Sequence, residues 1–132
     1  MFKVPEKTLS VDDYLTFETN GDIRHEYISG MLHAMAGGTS QHNRIALNIA
    51  AHFLGIAPQS CRVYQEGMKL RASEQVFYYP DVMVVCGAAE PDPYFETEPC
   101  ILVEVLSRST KDIDLREKLL SYKSLPSVQL YL

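Results

Sequence analysis

The sequence predicts a single α/β domain built around a mixed β-sheet. Residues 79–86 and 100–106 are short apolar runs rich in Val, Ile and Leu, a composition typical of strands buried on both faces. Segments with helix caps lie before and after these runs. With 132 residues, 46% of them hydrophobic, the chain favours one compact domain over residues 1–132, in which helices flank the sheet.

The N-terminal part predicts a short helix followed by a hairpin. Ser10 stands three residues before an aspartate and ahead of an apolar segment, which is the pattern of a helix N-cap. An Asn-Gly-Asp sequence at residues 20–22 ends this helix. Residues 26–35 then predict two short strands that turn at the Ser-Gly pair of residues 29–30.

A second helix and a second hairpin follow. Thr39 or Ser40 can cap a helix over residues 41–54, because the apolar residues there recur in four-residue steps along one face. Residues 62–71 alternate loosely between apolar and polar types, so we expect them to pair with residues 75–79 as a hairpin. The buried run at residues 79–86 comes directly afterwards.

The C-terminal part predicts a loop, a helix and a final strand. Residues 88–99 contain three prolines and four acids, which indicates an exposed loop ahead of the second buried run. A Ser-Thr cap at residues 109–110 begins a helix that runs to about residue 125. Residues 128–132 start another strand, so we expect either a truncated chain or a last strand completed in some other way.

Composition narrows the classes of function. The net charge of −5 argues against a broad basic face that grips nucleic acid, although it leaves room for a local basic rim or a bound divalent cation. No apolar run has the ~18 residues of a membrane span, and the first residues lack the pattern of a signal peptide. Cys61, Cys86 and Cys100 show no metal-ligand spacing, so we expect reduced thiols in a cytoplasmic protein.

Glu104 is the residue in the sequence that most suggests chemistry, because it lies inside the second buried run. A buried carboxylate must meet a cation, a metal or hydrogen-bond donors, or else take up a proton. Asp81 lies at the start of the other run, so on neighbouring strands the two carboxylates and the Val105 carbonyl would form a Mg²⁺ or Mn²⁺ site. The alternative is a structural ion pair of Glu104 with Lys118 or Arg116.

Several segments of this chain follow a recognisable order. They are Glu26-Tyr27-Ile28-Ser29-Gly30, His42, Pro80-Asp81-Val82 and Val103-Glu104-Val105-Leu106-Ser107-Arg108-Ser109-Thr110, followed by Asp114, Lys118 and Tyr122. The Pro-Asp dipeptide and the strand bearing a glutamate resemble the PD-(D/E)xK nuclease superfamily. The full ordered set more closely resembles its Uma-type, restriction endonuclease-like family. The resemblance implies a restriction-endonuclease-like fold, a mixed β-sheet flanked by helices.

The resemblance also implies roles for individual residues. Asp81 and Glu104 would bind the divalent ion, and the chemistry would be hydrolysis of phosphodiester bonds. The general pattern has a lysine two residues after the second acid, where this chain has Leu106. Lys118 on the following helix is the candidate replacement, to orient the attacking water or to offset charge in the transition state.

Three further residues are candidates for contact with ligands or substrate. Glu26 and His42 match positions that line the site in the family, and Ser107 directly follows the Glu104 strand. Taken alone, Glu26 would be a solvated residue at a strand start, and His42 a polar residue near a helix start. Lys118 has a similarly simple alternative, a surface ion pair with Asp114 one helical turn away.

Three hypotheses of function stay open at this point. The first is a Mg²⁺- or Mn²⁺-dependent endonuclease acting on DNA in the cytoplasm, as a monomer or a homodimer. The second is a catalytically silent module that uses the same fold for binding or regulation, which the missing lysine and the acidic charge favour. The third is a metal-dependent phosphoesterase for a small substrate. The cations that would form a basic rim for DNA are Lys69, Arg71, Arg108 and Lys111.

Overall fold

The computed structural model describes residues 8–35, 38–87, 92–106 and 112–132, including their side chains except those of residues 112–116. These ranges contain three helices and nine strands. In chain order they are α1 (Val11–Asn20), β1 (His25–Ile28), β2 (Met31–Ala34), α2 (Ser40–Ile56), β3 (Arg62–Gln65), β4 (Lys69–Ser73), β5 (Val76–Tyr78), β6 (Val82–Val85), β7 (Phe95–Glu96), β8 (Ile101–Val103), α3 (Asp112–Lys123) and β9 (Leu130–Tyr131).

The strands form two mixed sheets. One has five strands in the order β2-β1-β5-β4-β7, and the other has four in the order β3-β6-β8-β9. Each sheet contains one parallel pair, β4 with β7 and β8 with β9, among antiparallel neighbours. The predicted α/β class with mixed pairing and flanking helices is therefore confirmed, with the strands divided between two sheets.

The four-stranded sheet is the central layer, because its strand β6 is buried on both faces. Successive side chains of a strand point to opposite faces, so Val82 packs on one side and Met83 on the other. On the first side, small residues of α2 (Ala46 and Ala50) let the helix approach the sheet closely. On the second side lies a core shared with the five-stranded sheet and with Tyr122 of α3.

Local signals place the starts of α1 and α2 and the first hairpin as predicted, whereas the predicted cap at residues 109–110 lies outside the described residues. The Ser10 side chain accepts a hydrogen bond from the backbone N–H of Asp13, at 3.1 Å. At α2 the cap is Thr39, whose hydroxyl accepts from the N–H of His42 at 3.1 Å. The β1–β2 turn places Ser29 and Gly30 at positive φ, as a tight hairpin turn of this kind requires.

Two predictions about the strands are wrong. The segment 62–71 is not one hairpin arm: β3 pairs with β6 in one sheet, whereas β4 pairs with β5 in the other. The chain changes sheets at Glu66, which has a φ of +59°. The predicted loop 88–99, described from residue 92 onward, contains β7, and Glu96 of β7 is buried. Its carboxylate accepts hydrogen bonds from Arg62 and Tyr64 of β3, which links the two sheets.

The cysteines also differ from expectation. Cys61 and Cys86 form a disulfide instead of two reduced thiols. Pairing of β3 with β6 places Arg62 opposite Val85, so the residues just beyond this pair face each other across the strands. Within the described ranges, no helix has the length and apolar character needed to cross a membrane.

Candidate active site

The two candidate ligands lie at the ends of two neighbouring strands, on the same side of the four-stranded sheet. Asp81 directly precedes β6 and Glu104 directly follows β8. These strands run antiparallel with Val82 opposite Val103, so the ends that carry the two acids coincide. The carboxylate of Asp81 accepts the backbone N–H of Val105 at 2.6 Å. That hydrogen bond fixes Asp81 beside the segment that carries Glu104.

Glu104 is held in a nearly buried position, with 9% of its side chain exposed. Its Oε1 accepts a hydrogen bond from the Tyr122 hydroxyl at 2.6 Å, and its backbone N–H donates to the Leu132 carbonyl. Burial raises the pKa of Glu104 to about 8, although Lys118 opposes the effect by favouring the charged form. Nearby Asp81 adds to the rise by repulsion. Without a cation the Glu104 carboxyl therefore keeps its proton near neutral pH, and a bound divalent ion would favour its charged form.

Lys118 of α3 enters the same site and contacts two acids. Its Nζ lies 3.1 Å from Oε2 of Glu26 and 3.7 Å from Oε1 of Glu104. Burial alone would lower the pKa of Lys118, but the attraction of Glu104 and Glu26 raises it, so the amine stays charged. Glu26 also accepts the backbone N–H of Tyr79 at 3.2 Å, which orients its carboxylate. Glu26 is thus part of the site and not a solvated residue at a strand start.

His42 lies on the other side of Asp81. Its position in the first turn of α2, fixed by the Thr39 cap, directs Nε2 to 3.2 Å from Oδ1 of Asp81. The opposite ring nitrogen, Nδ1, is buried without a hydrogen bond and lies 3.6 Å from Oε1 of Glu66. Ligand atoms of His42, Glu66 and Asp81 all lie within 4.8 Å of one another.

Glu66 is the site residue that the sequence did not suggest. Its backbone N–H donates to the Asp81 carbonyl at 3.1 Å, and its own carbonyl accepts from Arg24 at 2.9 Å. These contacts hold it in the left-handed region, at a φ of +59°. The glycine that follows it was the only local signal of a turn, and nothing in the sequence linked that turn to Asp81.

The donor set fits a divalent cation. Asp81 and Glu104 offer hard carboxylate oxygens, which suit Mg²⁺ and Mn²⁺. The carboxylates of Glu26 and Glu104 contact the ammonium of Lys118, and Asp81 lies near enough to repel charge on Glu104, so this group of acids would attract a divalent cation. The role of the Val105 carbonyl as a ligand stays a prediction, and Ser107 lies outside the described residues.

Two of the four cations expected to form a basic rim lie within the described residues, and both pack against aromatic rings. Lys69 is buried, with its Nζ over the rings of Tyr79 and Tyr94. The guanidinium of Arg71 packs over two phenylalanine rings of the five-stranded sheet. Arg108 and Lys111 lie outside the described residues.

Comparison with known proteins gives this geometry a context. The family described as "Uma2: Putative restriction endonuclease" matches residues 11–132. The chain belongs to the Uma2 family. Its resemblance to the restriction-endonuclease-like superfamily is thereby confirmed, and the match supports a nuclease-like function.

Relatives and a solved structure agree with this assignment. Two uncharacterized proteins of Synechocystis sp., slr1290 and sll1609, are 33% and 32% identical over 97% and 96% of the chain, which spans 69% and 74% of their lengths. The crystal structure of "a putative nuclease belonging to DUF820" from Anabaena variabilis superposes with a TM-score of 0.73. It covers 93% of this chain and 72% of that chain at 17% identity, so the match shows a shared fold.

Proposed function

We propose that this Uma2 protein is an endonuclease that hydrolyses DNA phosphodiester bonds with a bound Mg²⁺ or Mn²⁺ ion. The observation that carries the proposal is the convergence of Asp81, Glu104 and Lys118. The two acids lie at the adjacent ends of β6 and β8, and Lys118 comes from α3. A purely structural ion pair of Glu104 with Lys118 would not need a second acid beside it. The domain proposed to carry this activity spans residues 1–132.

The ion would be held by Asp81 and Glu104, with the Val105 carbonyl as a third oxygen ligand. When bound, it supplies an acidified water molecule and a positive charge beside the scissile phosphate. His42 fixes the orientation of the Asp81 carboxylate through the contact at 3.2 Å. Tyr122 does the same for Glu104 by donating its hydroxyl hydrogen. Both ligands therefore keep their geometry before substrate arrives, which is the preorganisation that catalysis requires.

Lys118 provides the positive charge that the general nuclease pattern places two residues after the glutamate. Its charged amine orients the attacking water or offsets charge that develops on the phosphate. Glu26 also holds the amine, with its Oε2 at 3.1 Å from Nζ. Leu106, at the usual lysine position, is 65% exposed and offers no charge. Ser107 would contact the substrate or the ligands.

The substrate class and setting follow from the same proposal. DNA binding by a chain of net charge −5 relies on the bound cation and on local contacts, so affinity will be modest. We place the enzyme in the cytoplasm, where its substrate is accessible. A homodimer would present two such sites to the two strands of a duplex.

Nicking of supercoiled plasmid tests the proposal. We expect relaxed circles with Mn²⁺ or Mg²⁺, none with EDTA, and loss of nicking in Asp81→Asn and Glu104→Gln while both variants stay folded. Glu74→Gln removes an exposed carboxylate away from the site and should nick like the wild type. Equal nicking by Glu104→Gln and wild type, or no nicking by wild type with either ion, would overturn the assignment.

A silent binding module is the second candidate, and two observations favour it. Leu106 replaces the general lysine, and Lys118 already satisfies its charge with Glu26 and Glu104. Calorimetric titration with Mn²⁺ separates the two functions. An endonuclease must bind the ion through Asp81 and Glu104, whereas a silent module has no need of it.

A further inference from the structure

Three cysteines meet at the end of β6 that is remote from Asp81. Cys61 directly precedes β3, Cys86 directly follows β6, and Cys100 directly precedes β8. The first two are joined as a disulfide. The sulfur of Cys100 lies 3.3 Å from the Cys86 sulfur, so the free thiol is in direct contact with one end of the bridge.

We propose that Cys61, Cys86 and Cys100 form a thiol–disulfide exchange site, in which the bridge moves between Cys61–Cys86 and Cys86–Cys100. The contact selects the sulfur that is attacked, because Cys100 lies against Cys86. A thiolate that reaches a disulfide sulfur displaces the other sulfur as the leaving group. Cys61 is therefore the residue released.

The exchange balances without an added oxidant or reductant. The Cys100 thiol gives its proton to water and attacks the Cys86 sulfur with its electron pair. The Cys86–Cys100 bond forms as the Cys61–Cys86 bond breaks, and the Cys61 thiolate takes a proton from water. One disulfide and one thiol are present before and after, so the oxidation state of the protein is unchanged.

Position and exposure make the site accessible. Cys86 is exposed, and Cys61 and Cys100 are partly exposed, so all three residues lie at the protein surface. The backbone already holds two of the three residues together: the Cys100 N–H donates to the Val84 carbonyl at 2.8 Å, two residues before Cys86. Exchange therefore requires rotation of side chains more than movement of strands.

The two bridges restrain different strands. The Cys61–Cys86 bridge ties β3 to β6, whereas the Cys86–Cys100 bridge ties β6 to β8, the strands whose other ends carry Asp81 and Glu104. The exchange site thus selects which neighbour of β6 is covalently fixed. It is separate from the acidic site and does not depend on the proposed nuclease function.

Trapping of thiols with iodoacetamide tests the proposal. The full chain is purified without reductant, held at pH 8, and labelled by a short pulse that acid ends, because only the thiolate reacts. Peptide mapping should find label on both Cys100 and Cys61, one label per molecule, together with both disulfide peptides. In Cys100→Ser the label on Cys61 should be lost, because its attacker is gone.

A second variant, Cys61→Ser, tests the proposal independently if Cys100→Ser folds poorly. Cys61→Ser treated with oxidised glutathione should form the Cys86–Cys100 bridge and lose both free thiols. Three labelled cysteines in untreated wild type would overturn the proposal. So would label confined to Cys100, equal Cys61 label in wild type and Cys100→Ser, or no bridge in Cys61→Ser.

Discussion

Replacing Glu104 by glutamine should stabilise the protein without divalent ions, and the gain should grow with pH. Burial holds the pKa of this carboxyl at about 8 in the folded protein, against an ordinary value of 4.5. Between these values the folded state keeps a proton that the unfolded state has released, so stability falls as pH rises. Glutamine has the same shape and does not titrate, so the stability of Glu104→Gln does not fall with pH for this reason.

The size of the effect follows from the two pKa values. One pKa unit corresponds to about 1.4 kcal/mol, so the full window from pH 4.5 to 8 is worth up to ~5 kcal/mol. Relaxation of the site and partial solvation reduce this figure. We therefore expect the free energy of unfolding of Glu104→Gln to exceed that of the wild type by about 1–3 kcal/mol at pH 7.5, with no difference near pH 4.5. The attraction of Lys118 is already contained in this pKa, because it opposes the rise, and Lys118 keeps its other partner Glu26 at 3.1 Å in the variant.

Urea denaturation in EDTA at half-unit steps from pH 4.5 to 8 measures the gap. Glu74→Gln, which removes an exposed carboxylate, is the matched control for the loss of one negative charge. The reasoning is refuted if the difference between Glu104→Gln and wild type is constant across this range. It is also refuted if the variant is the less stable protein at pH 7.5.

Substitutions at four other positions test the fold. Glu96→Gln weakens the charged hydrogen bonds that link β7 to β3 and should lower the free energy of unfolding by about 2 kcal/mol, measured by urea denaturation. Gly30→Ala should destabilise the protein by about 1–3 kcal/mol, because its φ is +91° and a Cβ would strike Thr8. Gly55→Ala in α2 has open space for the Cβ and should stabilise the protein by about 0.5–1 kcal/mol. Equal shifts of the melting temperature in the two variants would contradict this contrast. Thr39→Ala removes the α2 cap and should cost about 1 kcal/mol, with Thr39→Ser restoring most of it.

The sequence predicted those features that short-range chemistry determines. A cap needs only a side chain and an N–H three residues later, so the sequence indicates Ser10 directly and narrows the second cap to Thr39 or Ser40. The burial of Glu104 followed from its apolar neighbours. The sequence places Glu104 near Asp81 only if the strands that carry them are neighbours. The pairing of β6 with β8 meets that condition.

The features that were missed depend on pairing between distant segments. A hairpin of residues 62–71 with residues 75–79 gives no reason to place Cys61 opposite Cys86, because that contact needs β3 beside β6. The same error concealed Glu66, which reaches the site because the chain leaves one sheet there and enters the other. A strand of two residues such as β7 carries too little pattern to be distinguished from a loop.

A crystal soaked in Mn²⁺, with anomalous diffraction measured near the manganese edge, tests the central claim most directly. The account predicts one anomalous peak bound by carboxylate oxygens of both Asp81 and Glu104, at the ~2.2 Å typical of Mn²⁺–oxygen bonds. The peak should be absent from Asp81→Asn crystals soaked in the same way. A peak that touches neither acid, or no peak at a concentration that supports nicking, would contradict it.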